Sequence, residues 1–268
     1  VARRLPAVAV AVCAGTGLAP PPACGTPDAP PRATVAGRLD AHPALAGAGV
    51  EPRTIWVLVP ADYDSTRRYP VLYLQDGQDL FDESRAAGGA EWGVDELLQA
   101  RPQGIPPLFV VGIEATPHAR RDYAPPGSLA GARGDAYVRF VVDVVKPYVD
   151  ARYATRAEPE WTWIGGAGAG GLVAAYAAWT TPHVFGAAIA LAMPDLDGRD
   201  LAWVHAARPA APVRLWLEQQ GAGALTRGST TQLLTDLRRG ARVDLRVSGA
   251  ETPMLVRLAA ALRALAQP

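Results

Sequence analysis

The sequence predicts an α/β domain built on a mainly parallel sheet with helices on both faces, and three observations carry that expectation. From Arg53 onward, strand-like apolar runs alternate with helix-like ones, the pattern of βα units whose crossovers cover both sides of a sheet. Residues 108–113 (LFVVGI) are apolar without alternation, as in a parallel strand buried on both faces. Residues 163–177 (WIGGAGAGGLVAAYA) pass from an apolar strand through a glycine cluster straight into a helix. Chains use such a turn where backbone must come close to a ligand or a reacting atom.

The elements follow in order. Arg3 and Arg4 precede a short apolar stretch, small residues and a proline run ending at Ala23-Cys24, which is the pattern of a secretory signal over residues 1–24 and implies a secreted or periplasmic protein. Cleavage is the first reading, and lipid anchoring at Cys24 is the second because Pro21 stands where a lipobox has leucine. Cys13 leaves with the signal, so no internal disulfide is expected. Residues 25–52 read as a Pro/Ala-rich linker with a short first strand around 34–39, and residues 53–268 as the folded domain. Within it, strands are expected at 53–59, 71–74, 108–113, 161–164, 186–191, 213–217 and 243–247. Helices are expected at 91–100, 135–148, 171–180, 229–239 and 254–265. The second of these places Tyr137, Phe140, Val141, Val144, Val145 and Tyr148 on one stripe, and the last does the same for Leu255, Leu258, Leu262 and Leu265.

Composition narrows the function. Lys plus Arg and Asp plus Glu are 26 each, so no net field favours nucleic acid or anionic lipid. No run beyond the signal is long enough to span a membrane. No His/Cys/Asp/Glu group has metal-ligand spacing, and no cofactor is expected.

The glycine cluster supports two readings. Gly166, Gly168 and Gly171 satisfy G-x-G-x-x-G between strand and helix, with Asp195 or Asp197 as the later acid, which points to a dinucleotide. Against this, the fingerprint normally sits on the first strand of its unit, and several strand-like runs come earlier here. In the alternative, a G-x-S-x-G nucleophile elbow, Gly166 and Gly170 keep the flanks while Gly168 occupies the centre.

YPVLYLQDGQDLFD (69–82), EWGVDE (91–96), RRDYAP (120–125), the 134–153 helix region, IGGAGAGGL (164–172) and TPHVFG (181–186) occur in this order. Together they resemble the putative-esterase family of α/β-hydrolases, which includes enterochelin esterases, esterase D-type enzymes and feruloyl esterases. The resemblance implies an α/β-hydrolase fold and a Ser-His-acid triad. At the family's Gly-Gly-Ser-Ser-Met-Gly-Gly, this chain has Gly-Gly-Ala-Gly-Ala-Gly-Gly, so Gly168 stands at the nucleophile position. At the family's Gly-Ala-x-His, it has Gly249-Ala250-Glu251-Thr252, so Thr252 stands for the base. The acid belongs in the loop 218–228, where Glu218 is the nearest carboxylate.

A triad is therefore not expected in working form, and a binding or structural role is the first reading. An active ester hydrolase using relocated residues, such as Ser84 with His118, is the second. The backbone N–H groups of Gln78, Asp79 and Ala169 are expected to form an oxyanion-hole-like pair of walls. Asp76, Trp92, Arg120, Arg121 and Tyr123 are expected around the strand ends, a mixture suited to a small polar or aromatic-acid ligand.

Overall fold

The computed structural model describes residues 35–193, 199, 202–206, 208–220, 235–248 and 251–267. The signal, Cys24, Asp195, Asp197, Gly249, Ala250 and most of the 218–228 loop lie outside them.

β1 (Leu39–Gly47) and β2 (Val50–Leu58) form an antiparallel hairpin closed by Ala48 and Gly49, both with positive φ. That sign at both central residues gives the turn the twist of the strands it joins. β1 lies inside the stretch read as linker, so the sheet begins earlier than expected. The cause is Pro43, which interrupts the strand pattern. β1 is an edge strand with register shifts between His42 and Gly47, a place where proline is tolerated.

β3 (Val71–Gln75), β4 (Phe109–Ile113), β5 (Thr162–Ala167), β6 (Ala187–Met193), β7 (Val213–Gln220) and β8 (Ala241–Ser248) complete an eight-stranded sheet in the order β1-β2-β4-β3-β5-β6-β7-β8. β2 pairs antiparallel with β4, and every later pairing is parallel. Alternation along each strand feeds two cores. Val71 and Tyr73 face one with Val111 and Ile164, and Leu72 and Leu74 face the other with Val110 and Trp163.

The first core is covered by α3 (Gly134–Phe140), a π-helical turn (Val141–Val145), α4 (Lys146–Asp150) and α5 (Ala169–Thr180). α1 (Val94–Gln99) and α7 (Met254–Leu265) cover the second. Two short helices, α2 (Ala119–Asp122) and α6 (Ala202–Ala206), lie between. The single helix expected over 135–148 is thus interrupted. Pro147 lacks an N–H and its ring crowds the carbonyl four residues back, so the ladder widens into a π turn just before it. Residues 235–238 of the helix expected over 229–239 are helical, and 229–234 lie outside the described residues. In α7, Leu255 is only half-buried while Arg257 is buried.

Arg53 is charged in an apolar strand. Its Nη2 lies 2.8 Å from Asp122 Oδ2 on α2, with both side chains 1% exposed. Its guanidinium also stands over the rings of Tyr137 and Phe140, at 5.1 and 5.4 Å from their centroids. This ion pair ties β2, α2 and α3 together. Breaking a buried pair leaves an uncompensated charge, so Arg53→Met should lower stability by about 3 kcal/mol in urea unfolding, with Arg53→Met/Asp122→Leu recovering much of that loss.

Candidate functional site

β5 ends at the glycine cluster. Gly168 has φ 55° and ψ −122° and is followed directly by α5, a reversal that an L-residue adopts only with strain. A Cβ built on Gly168 meets nothing within 4 Å. The flanking glycines are required for a different reason. A Cβ on Gly166 would stand 2.7 Å from the carbonyl carbon of Gly170, and one on Gly171 would stand 3.0 Å from Gly166 O. Strand and helix pass too closely for side chains there. The three glycines that match a dinucleotide fingerprint are therefore explained by an elbow whose apex faces open space.

β3 ends beside this apex. Gln75, fully buried, packs against Gly166 and Gly170 and accepts a hydrogen bond from the Tyr137 hydroxyl. Asp76 follows in the left-handed region at φ 58°, and its Oδ2 would lie 3.1 Å from a Cβ on Gly170. Tyr123, buried, donates its hydroxyl to Asp76 Oδ1 at 3.1 Å and packs edge-on against Tyr137. Burial pushes the Asp76 carboxyl up to about 6, with the Tyr123 hydrogen bond opposing the shift and Asp79 adding to it. Ala192, at the end of β6, also has positive φ, at 46°. Three strand ends around the elbow thus carry left-handed or strained backbone.

The expected residues divide. Asp76 and Tyr123 are brought together. Ala169 is exposed at the first position of α5, where an N–H has no acceptor inside its helix. The Asp79 N–H, by contrast, is turned inward onto Asp76 O at 2.9 Å, which corrects its expected place in an oxyanion hole. The Gln78 side chain is structural, accepting from Ala115 N at 2.9 Å and donating to Asp79 Oδ2 at 3.0 Å. Trp92 packs against the α1/α7 core, with its backbone N–H donating to Asp79 O at 2.8 Å. Arg120 and Arg121 are exposed on α2, because that helix turns Asp122 and Tyr123 inward instead. Neither arginine joins Asp76.

Ser84 and His118 are not brought together either. Ser84 Oγ donates to Asp82 Oδ1 at 2.7 Å, and His118 Nε2 lies 3.2 Å from Glu51 Oε1. Glu218 is buried at the end of β7 and pairs with buried Arg257 at 3.2 Å, while Arg257 Nε donates to the carbonyl of Thr252 at 2.8 Å. The carboxylate nearest the expected acid position therefore faces an arginine.

The EWGVDE motif also departs from expectation. It places carboxylate oxygens of Glu91, Asp95 and Glu96 within 4.8 Å of one another. Asp95 is fully buried, and that burial, with the proximity of Glu96 and despite a hydrogen bond from Ala36 N, pushes its carboxyl up to about 7.

The family described as Putative esterase matches residues 50–262. The chain belongs to that family. Its fold is of the α/β-hydrolase type, as two solved structures also show. The chain is similar to an IroE-like serine hydrolase from Shewanella oneidensis, at 20% identity and TM-score 0.63 over 85% of this chain and 79% of that one. It is also similar to the enterobactin esterase FES from Shigella flexneri, at 18% identity and TM-score 0.66 over 90% and 62%. Among curated proteins, it is 30% identical to the uncharacterized protein YjcH of Bacillus subtilis (strain 168) over 136 residues, 51% of this chain and 53% of that protein. The chain spans about half the length of the curated relatives it matches.

The Asp76 environment has a consequence for stability. Its folded carboxyl holds a proton up to about pH 6, whereas the unfolded one releases it near pH 4. The folded state binds more protons across that window, so this group's contribution to stability falls as pH rises from about 4 to 6. Asp76→Asn keeps the acceptor for Tyr123 and tolerates the left-handed backbone. Relative to the wild type, the variant should gain about 2–3 kcal/mol between pH 4 and pH 7 by urea unfolding.

Proposed function

We propose that this chain is a binding protein on an esterase scaffold and not a serine hydrolase. The observation that carries the reading is Gly168 at the elbow apex, with open space where a nucleophile's side chain would stand. Nucleophile, base and acid act as a unit. With Gly168 at the first position, Thr252 aligned with the second and Glu218 engaged with Arg257, no proton path links three such groups among the described residues.

The cleft walls support a retained ligand. Asp76, held by the buried Tyr123, and the exposed start of α5 border the space above Gly168. The strained backbone at Asp76 and Ala192 remains in place, and strain of this kind clusters at sites that use it. A helix N-terminus with free N–H groups favours oxygen acceptors and negative charge. A small polar or aromatic-acid ligand suits that combination. The enterobactin esterase neighbour was crystallised in the presence of 2,3-di-hydroxy-N-benzoyl-serine, a compound of this kind. The N-terminal pattern adds a secreted or periplasmic location to the proposal.

The purified protein should hydrolyse p-nitrophenyl acetate no faster than an unrelated protein control, and a fluorophosphonate should label no serine. Turnover abolished by that reagent, with mass added at one serine, would overturn the reading. Gly168→Ser should restore no measurable activity and should lower stability by about 1 kcal/mol, because serine carries the steric cost of positive φ that glycine avoids.

A further inference from the structure

The opposite edge of the sheet carries a second cavity, of about 1300 Å³, at the N-terminal ends of β6, β7 and β8. It is lined by Arg208, Arg214, Arg238, Arg239 and Arg242, with His183 beside them. Arg239 is paired with Asp236 at 2.8 Å. Among the described residues, the other four arginines have no carboxylate partner, and Glu160 is the one carboxylate of the lining. A chain with equal numbers of acidic and basic residues has thus concentrated positive charge at one concave place.

Two of these cations are forced together by the strand register. Arg214 on β7 is the direct Cα partner of Arg242 on β8, and like charges at directly paired positions are destabilising. Arg214 is half-buried and is held by a hydrogen bond from its Nη1 to the carbonyl of Gln267 at 2.9 Å. Burial, and then the neighbouring Arg242, lower its affinity for its proton. The C-terminal end of α7 borders the same cavity through Leu265, Ala266 and Gln267, but a helix end supplies only about half an elementary negative charge. Four arginines exceed what that helix end neutralises.

We propose that this cavity is an anion site for a small phosphate-bearing molecule, with Arg214 and Arg242 as its central pair. Adjacent guanidinium groups present planar forks that match phosphate oxygens. A multivalent anion between them turns the repulsion into two charge-assisted contacts. Trp161 and Pro209, also in the lining, provide apolar wall for the remainder of the molecule. The site is separate from the cleft at Gly168, because parallel strands put the two at opposite ends of the sheet.

The test compares inorganic phosphate, pyrophosphate and sodium chloride at matched ionic strength, by thermal unfolding and calorimetry, on the wild type, Arg214→Gln/Arg242→Gln and Gly168→Ser. Pyrophosphate at about ten times its Kd should raise the wild-type Tm by roughly 3–5 °C, with phosphate weaker and chloride without effect. The double variant should bind pyrophosphate at least tenfold more weakly while keeping a ligand-free Tm at or above that of the wild type. Gly168→Ser should show the same rise as the wild type. An equal response to chloride, or an undiminished pyrophosphate response in the double variant, would overturn the proposal. So would loss of the response in Gly168→Ser, which would place the anion in the cleft.

Discussion

The architecture around the cleft depends on how closely three backbones approach one another. β3, β5 and the start of α5 meet where Gln75 packs against Gly166 and Gly170, and where Gly171 lies against Gly166 and Ala190. A Cβ at Gly166 or Gly171 would press on backbone, and one at Gly170 on the Gln75 and Asp76 side chains. That closeness lets β5 reverse into α5 within one residue and directs Gly168 outward from the C-terminal edge of the sheet. Packing and site geometry are here one constraint: the glycines that seat the helix also create the apex.

A chain of buried polar groups supports the same place from behind. Asp122 pairs with Arg53, Arg53 lies over Tyr137, Tyr137 donates to Gln75, and Gln75 sits against the elbow. Tyr123, next to Asp122, carries the line to Asp76. The network is only partly satisfied, since Arg53 Nη1 and Gln75 Nε2 have no hydrogen-bond partner among the described residues, which makes it costly to bury. Here the network fixes the turn after β3 relative to α2 and α3, so that Asp76 is held beside Gly170 in a conformation it would not choose alone.

Much of this was legible in the residues. The apolar runs VLYL and LFVVGI, without polar positions, assigned the central strands, as burial on both faces requires. β1 was not legible, since Pro43 and a bulged register erase the alternation at an edge where little packing enforces it. Asp76 and Tyr123 were found through their motifs. Arg120 and Arg121 were misplaced, because a four-residue helix offers no periodicity to show which face turns in. The signal that identified the inward face was elsewhere, in Arg53: a charge within RTIWVLV demands a buried counter-ion, and Asp122 is that ion. Arg257 in α7 is readable in the same way, as a cation among buried leucines that finds Glu218.

Strain also bears on what the cleft has kept. A serine at the Gly168 conformation would cost about 1–3 kcal/mol that surrounding packing must offset. Glycine removes that cost at the apex. The same relief has not been taken at Asp76 or Ala192, which retain positive φ although glycine would serve at either. Asp76 is further disfavoured by holding a carboxyl where burial raises its affinity for a proton. Positive φ also occurs at Ala44, Ala48 and Arg101, away from the cleft, so strain alone does not mark a site; at Asp76 it is joined to a buried carboxyl. That combination supports the binding role proposed above, with the Asp76 carboxyl, held by the buried Tyr123 hydroxyl, as its polar wall.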